Sequence, residues 1–453
     1  MRLAYSPSED NPLVRAVCRD AGLPAGVDLG VHADDEMLAF LAATRGGDRD
    51  LALADYLTSG FRVAETFRQL LLWWFGSLDR VASALDFASG YGRVTRFLVR
   101  DLSPARLCVA DIYAEGVRFQ EERFGVRGLV SAPDPGAFRP SERFDAVFVT
   151  SLFSHLPEPV FHGWMEALWR LLAPGGLLVF SVHDGSLLHP ARELPAAGIL
   201  FAEVSESASL GKGDYGTSWV SEAFVRSAVA RVAPRAAVHR VARGLHHFQD
   251  LYFACNGAGD QPPLADLRLD RDPLGFVETL ALAPPDRLEA TGWVAMPREG
   301  PGSREAIAAV EALVDGAVVG RCDAFGPRPD VETARPGEPL AAGSFRLEIP
   351  LPPGLSRSAA ILTLRAVDGR GRPWLLAASS IDAALLAGAR LDLARTEEEL
   401  AETRADYRER LAIARARLAG LDARLEAMEA SRFWKLRNGW FAVKRFLKLT
   451  AER

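Results

Sequence analysis

The stretch Ala84-Leu85-Asp86-Phe87-Ala88-Ser89-Gly90-Tyr91-Gly92-Arg93 constrains this chain more than any other. An apolar run ends in an acidic residue and enters a glycine-rich turn that opens a helix. Gly90 and Gly92 allow a sharp turn and let a ligand approach the backbone with no Cβ in the way. The helix that follows offers free N–H groups at its start. Nicotinamide and flavin enzymes share this geometry, but a dinucleotide fingerprint beginning at Gly90 needs glycine where Thr95 stands.

Strand-like and amphipathic runs alternate around the loop. Residues 81–87, 106–110, 144–150 and 177–182 read as strands, and 94–101, 113–124 and 160–172 as helices. Such alternation predicts an α/β fold with a parallel, doubly wound sheet. The second strand ends in Asp111. A carboxylate there can accept hydrogen bonds from both ribose hydroxyls of an adenosine, or it can cap the next helix. The run beginning Phe144-Asp145 leads into Ser154-His155-Leu156-Pro157. In Leu172-Ala173-Pro174-Gly175-Gly176-Leu177 a helix ends, the chain turns, and another strand begins.

On these four motifs, the stretch from about Tyr56 to Asn256 resembles the class I S-adenosylmethionine-dependent methyltransferases. The resemblance implies a Rossmann-like, seven-stranded sheet whose final pair is antiparallel, with residues 249–254 as its last strand. It implies S-adenosyl-L-methionine as cofactor. Asp86, Ala88 and Gly90 would line the methionine end, with Gly92 in the same loop. Asp111 would hold the ribose, Ile112 would pack near the adenine, and Thr150 and Ser151 would stand at the cofactor-side strand end. Tyr56, Ser59 and Gly60 precede the fold as a cofactor lid does in related enzymes. Two departures stand out. Ala88 replaces a frequent glycine, and no acidic residue lies near Leu129-Val130-Ser131-Ala132 to bind the adenine amine.

A sulfonium is already an activated methyl donor, so the protein mainly has to align the acceptor and exclude water. A hydroxyl acceptor also benefits from a base. His155 is the first candidate and His183, beside Asp184, the second. Their alternatives are a structural histidine and a solvated loop. Tyr215, Thr217 and Trp219, in the polar, glycine-rich insertion that begins at Gly211, either cover an acceptor pocket or belong to a surface loop. His246-His247 lacks a third ligand nearby, so no metal site is expected.

The rest of the chain divides by composition. Residues 1–60 read as a helical cap, with Asp34-Asp35-Glu36 as an acidic helix start, and 61–258 as the methyltransferase domain. Residues 259–272, rich in Gly, Pro and Asp, read as a linker. Short β-like runs at 288–295, 307–314, 317–321, 344–349, 360–367 and 374–378 place a small β-sandwich at 273–382. Asp315-Gly316 is a hairpin signal within it. Over 383–430, Leu393, Leu400, Tyr407, Ala414, Leu421 and Met428 repeat every seven residues, and Leu411, Leu418 and Leu425 fill the partner position. Glu397 and Arg404 interrupt that position earlier. The pattern supports a coiled coil and a homo-oligomer; a lone amphipathic helix packed on its own chain is the alternative. Residues 431–453 form a basic amphipathic segment, with Phe433, Leu436, Trp440, Val443 and Leu447 on one face and Arg437, Lys444 and Lys448 on another. That pairing suits an anionic membrane surface or a protein partner.

Gly292-Trp293-Val294-Ala295 is similar to modules attached to bacterial glycan-assembly enzymes, and Trp293 is either sandwich core or a sugar-stacking ring. Residues 431–437 resemble C-termini of surface-polysaccharide glycosyltransferases and methyltransferases. These likenesses imply a sugar or glycan acceptor at the inner membrane face. A methyltransferase for a diffusible small molecule and a non-catalytic coiled-coil scaffold are the other readings. The net charge of −6 gives no bulk attraction to nucleic acid. The four cysteines form no CxxC pair, and no apolar run is long enough to span a bilayer or to serve as a signal peptide. A cytoplasmic protein, peripheral to the inner membrane, is expected.

Overall fold

The computed structural model describes residues 11–32, 34–189, 192–205, 210–211, 213–257, 262–267, 269–283, 286–297, 306–333, 340–430 and 432–446. Two units result, 1–385 and 386–453.

Helices α1 (Pro12–Asp20), α2 (Glu36–Thr44) and α3 (Arg49–Phe75) open the first unit. Asp35 caps α2, accepting hydrogen bonds from the Met37 and Leu38 N–H groups, so the acidic start at 34–36 falls as expected. The boundary drawn at residue 60 falls inside α3, which continues to a left-handed C-cap at Gly76. The sheet then forms from β1 (Ala84–Phe87), β2 (Leu107–Asp111), β3 (Arg127–Val130), β4 (Phe144–Val149), β5 (Leu172–Asp184), β6 (Ile199–Ala202), β7 (Thr217–Val220), β8 (Ala237–Leu245) and β9 (Gln249–Asn256). Helices α4 (Thr95–Asp101), α5 (Ala114–Phe124), α6 (Glu158–Arg170) and α7 (Glu222–Val232) cover its faces.

The sheet has nine strands rather than seven. Its main path runs β3-β2-β1-β4-β5, then antiparallel β9 and β8. The β6–β7 hairpin adds the other two, with β7 pairing only the His183-Asp184 end of β5. Strands β1, β2 and β4 are nearly all buried, as a parallel sheet covered on both faces requires. One apolar core lies under α1–α5 and the other under α6 and α7.

Two four-stranded sheets follow. One joins β10 (Leu274–Ala283), β11 (Arg287–Pro297), β15 (Leu340–Pro350) and β14 (Gly326–Pro327). The other joins β13 (Ala317–Cys322), β12 (Ile307–Val314), β16 (Ile361–Asp368) and β17 (Pro373–Ser380), while a short α8 (Pro329–Thr333) precedes β15. They share a core that includes Leu288, Val310, Phe345 and Leu364. Asp315 and Gly316 turn β12 into β13 with φ of 49° and 87°, the double positive φ of a type I′ turn. Trp293 is half-buried near Ala295, Val331 and Leu340, outside that shared core.

The 259–272 segment does not hang free. Asp270 accepts from Gln69 Nε2 at 2.8 Å and returns its own N–H to Gln69 Oε1 at 2.7 Å. The sandwich seats on α1 and α3 through Arg62, whose guanidinium lies 3.9 Å over the Trp374 ring and donates to the Pro373 carbonyl at 2.7 Å. Arg365 donates to the Asp20 carbonyl beside it.

The second unit holds most of α9 (Ile381–Ala430) and α10 (Arg432–Phe446). The boundary drawn at 382/383 falls in the first turn of α9. Trp440, Phe441 and Val443 are exposed on α10, and Lys444 lies against the Trp440 ring. The side chains of Phe433 and Leu436, together with Leu447, Lys448, Lys212 and the first ten residues, lie outside the described residues. Among those described, no helix is long and apolar enough to cross a membrane.

Candidate active site

A cleft of about 650 Å³ opens where the strand order reverses, between the C-terminal ends of β1 and β4. That crevice is where open α/β sheets bind ligands, and the size suits a cofactor with an acceptor. The residues brought together are Asp86, Ala88 and Gly90 from β1 and its loop, Asp111 and Ile112 from β2, and Thr150 and Ser151 after β4. Tyr56 reaches the same cleft from α3.

The loop is held from behind. Ala88 (φ 58°) gives its N–H to the Ala110 carbonyl, and Gly90 (φ 58°) gives its N–H to Asp111 Oδ2 at 2.7 Å. Asp111 Oδ1 accepts from the Tyr113 N–H at 3.0 Å, closing a turn just ahead of α5, whose N-cap is Tyr113 and not Asp111, and Asp111 also lines the cleft. A carboxylate has lone pairs left for further donors. Gln120 ties the loop to α5 by donating to the Gly90 carbonyl at 2.9 Å. A Cβ at Gly90 would meet nothing within 4 Å, so its backbone is open to a ligand. Gly92 is different. Its Cβ would sit 2.4 Å from the Phe124 ring, so Gly92 packs the loop and does not line the cleft.

Ser59 and Gly60 also stand outside the cleft wall. Ser59 Oγ accepts from Arg93 Nη1 at 2.9 Å, and a Cβ on Gly60 would lie 2.3 Å from the Arg93 carbonyl oxygen. Both fix Arg93, which does line the cleft. Asp35 lines it too and accepts from the Tyr56 hydroxyl at 2.6 Å. Sequence reasoning read Asp35 only as a helix start and gave Arg93 no role. Both are buried-charge positions that become legible only once α2 and α3 close on the loop.

The cleft is acidic, and Asp35, Asp86 and Asp111 in its lining are buried. Burial pushes the Asp86 carboxyl up to about 7, against hydrogen bonding from Thr95 Oγ1 at 2.7 Å. Burial also raises Asp35 and Asp111, while Arg93 is lowered by burial despite the acids around it. A cationic ligand would relieve this imbalance. These features fit an adenosyl sulfonium: an open glycine backbone, a carboxylate at the β2 end, and acids facing a cation.

Neither proposed base lines the cleft. His155 is buried, its Nδ1 donating to the Gly216 carbonyl at 2.7 Å and its ring stacked on Tyr215 at 4.7 Å. The cause is the β6–β7 hairpin, whose approach to the 152–156 turn engages this ring. His155 thus supports Tyr215, which does line the cleft, with Asp214 beside it. His183 sits behind Ser151, linked through Gln249 Nε2 at 3.3 Å, and burial pushes it down to about 4. Thr217 and Trp219 belong to β7 and do not line the cleft. The lining also includes Asp134, Asp214, the half-buried Tyr215 and, from the core, the buried Trp164.

Residues 85–178 match a family model described as a methyltransferase domain. No curated protein matches the sequence. Among solved structures, the DhpI–SAH complex is 19% identical with a TM-score of 0.33, over 49% of this chain and 97% of that one. The N-methyltransferase NodS from Bradyrhizobium japonicum WM9, in complex with S-adenosyl-L-homocysteine, is 16% identical with a TM-score of 0.31, over 49% and 99%. The 1,6-didemethyltoxoflavin-N1-methyltransferase of Burkholderia thailandensis is 17% identical with a TM-score of 0.33, over 49% and 88%. At these values the likenesses carry no argument about the acceptor. The matched segment holds Asp86, Gly90, Asp111, Asp134 and Ser151 of the cleft lining.

Proposed function

We propose that this S-adenosylmethionine-dependent methyltransferase O-methylates a sugar or glycan acceptor in bacterial cell-surface polysaccharide synthesis. The observation that supports it is the cleft lining, which includes the carboxylates of Asp134 and Asp214 and the half-buried ring of Tyr215. Carboxylates accept hydrogen bonds from sugar hydroxyls, and flat rings stack on the apolar faces of pyranoses.

The bound cofactor supplies an electrophilic methyl group on a sulfonium. Asp111 would accept hydrogen bonds from the ribose hydroxyls and Ile112 would pack on the adenine, while Asp86 and Arg93, which line the same cleft, would hold the charged amino-acid end. Leu152, Leu156 and Val160 exclude water and hold the acceptor against Tyr215. A sugar hydroxyl is a weak nucleophile, so its proton passes to a wall carboxylate, Asp134 or Asp214. The α10 segment, with Trp440 beside Lys444 and Phe441 beside Arg437, holds the cytoplasmic enzyme at the inner face of the membrane, where lipid-linked glycans are built.

Surface glycans compared by mass spectrometry, with and without this protein, should differ by one methyl group per repeat or chain end. Identical masses would remove the glycan reading. A chain ending at Leu385 should methylate a soluble sugar yet fail on the membrane-bound acceptor; equal turnover on both would leave α10 without the role given to it.

A further inference from the structure

The α9 helix carries an exposed apolar stripe. Leu393, Leu400, Tyr407, Leu411, Leu418, Leu421, Leu425 and Met428 are between 47% and 67% exposed. From Leu411 onward their spacing alternates three and four: Leu411, Ala414, Leu418, Leu421, Leu425, Met428. In heptad terms Leu411, Leu418 and Leu425 take position a, and Ala414, Leu421 and Met428 take d. A stripe this narrow matches a helix of like pattern and is too narrow to bury a helix in a globular core.

We propose that this stripe is the seam of a two-stranded, parallel, in-register coiled coil formed by a second copy of the chain. The flanking charges choose the direction. Arg410, Arg417 and Arg424 occupy every g position along the apolar part of the seam. In an antiparallel pair g faces g, so each register that overlaps these heptads sets arginine against arginine. In a parallel pair g faces the following e of the other strand. Arg417 then meets Asp422, and Arg424 meets the e position held by Glu429. Only Arg410 meets a like charge, at Arg415. The pattern thus penalises one direction and supports the other.

The charged a positions, Glu397 and Arg404, set where the zipper is tight and how many strands it has. In a two-stranded coil the a side chains flank a seam that is partly open, and long charged ones can reach water. A third strand would enclose them. The firm contact therefore runs from Leu411 to Met428, and the strands are looser toward the N-terminal end of α9.

Light scattering on the full chain should give twice the 49.2 kDa chain mass. Leu418→Asp with Leu425→Asp should return it to one chain mass while cofactor binding persists, which shows that the fold survived. Orientation is read from Leu421→Cys in a chain whose half-exposed Cys18 and Cys322 are serine. Mild oxidation should join two chains at position 421. Arg417→Glu should weaken the dimer several-fold, and adding Asp422→Arg should restore it. A monomer, a three-chain mass, or a dimer that resists the 421 link but joins when Leu418→Cys is added would each overturn the proposal, the last by showing an antiparallel pair in which positions 418 and 421 face each other.

Discussion

Asp86 and Asp111 end adjacent parallel strands and face one cleft, yet burial asks different things of them. Asp86 is pushed up to about 7 from the ordinary 3.8. In the unfolded chain it ionises near pH 4, while in the empty folded protein it keeps its proton to about pH 7. The folded state therefore binds the extra proton, and stability falls as pH rises through that window. Asp86→Asn should flatten this fall, which melting curves taken between about pH 4 and 7 would show. A cation in the cleft favours the ionised form, so cofactor affinity in the parent should rise through about pH 7 and the variant should lose that rise. Asp111 acts through direct acceptance. Asp111→Ala should weaken cofactor binding roughly 10- to 100-fold by calorimetry, the loss of one to two charge-assisted hydrogen bonds. An unchanged affinity would place the ribose elsewhere.

At the scale of elements, α3 does what no short motif announced. Gly60 presses on the Arg93 carbonyl at a distance that leaves no room for a methyl group. Gly60→Ala should shift the cofactor loop, costing about 1–3 kcal/mol of stability and a measurable loss of cofactor affinity. An unaffected variant would mean that the loop yields freely. The loop itself was legible in the sequence because β1, its acid and its glycines are contiguous, and so were Asp111 and the Asp315-Gly316 turn. Local chemistry dictates each of these. What could not be read was long-range. The β6–β7 hairpin lies in a polar insertion, and its packing takes His155 and Tyr215 as a stacked pair. β10 was missed because its pattern is interrupted by a register shift between Val277 and Thr279. A helix crossing residue 60 was hidden because the cap and the domain share one hydrophobic face there.

For the first unit as a whole, the contact that counts is Arg62 on Trp374. The Arg62 side chain is half-buried, desolvation lowers its pKa, and it donates to both the Ala21 and the Pro373 carbonyls. Arg62→Ala should lower stability by roughly 2–4 kcal/mol, from the lost cation–π contact and charged hydrogen bonds. Calorimetry should then resolve the sandwich and the nine-stranded domain as separate transitions; a single shifted transition would mean that Arg370 and Arg372 on Asp270 suffice to couple them.

Along α3, Gly60, which shapes the cofactor loop, stands two residues before Arg62 and nine before Gln69, which meet the sandwich and the 270 segment. Anyone grafting this catalytic domain onto another appendage inherits a shared part. A donor fragment cut at residue 61 would leave behind the wedge that sets its own cofactor loop, whereas a cut before α1 carries that wedge along together with a ready-made socket for a sandwich.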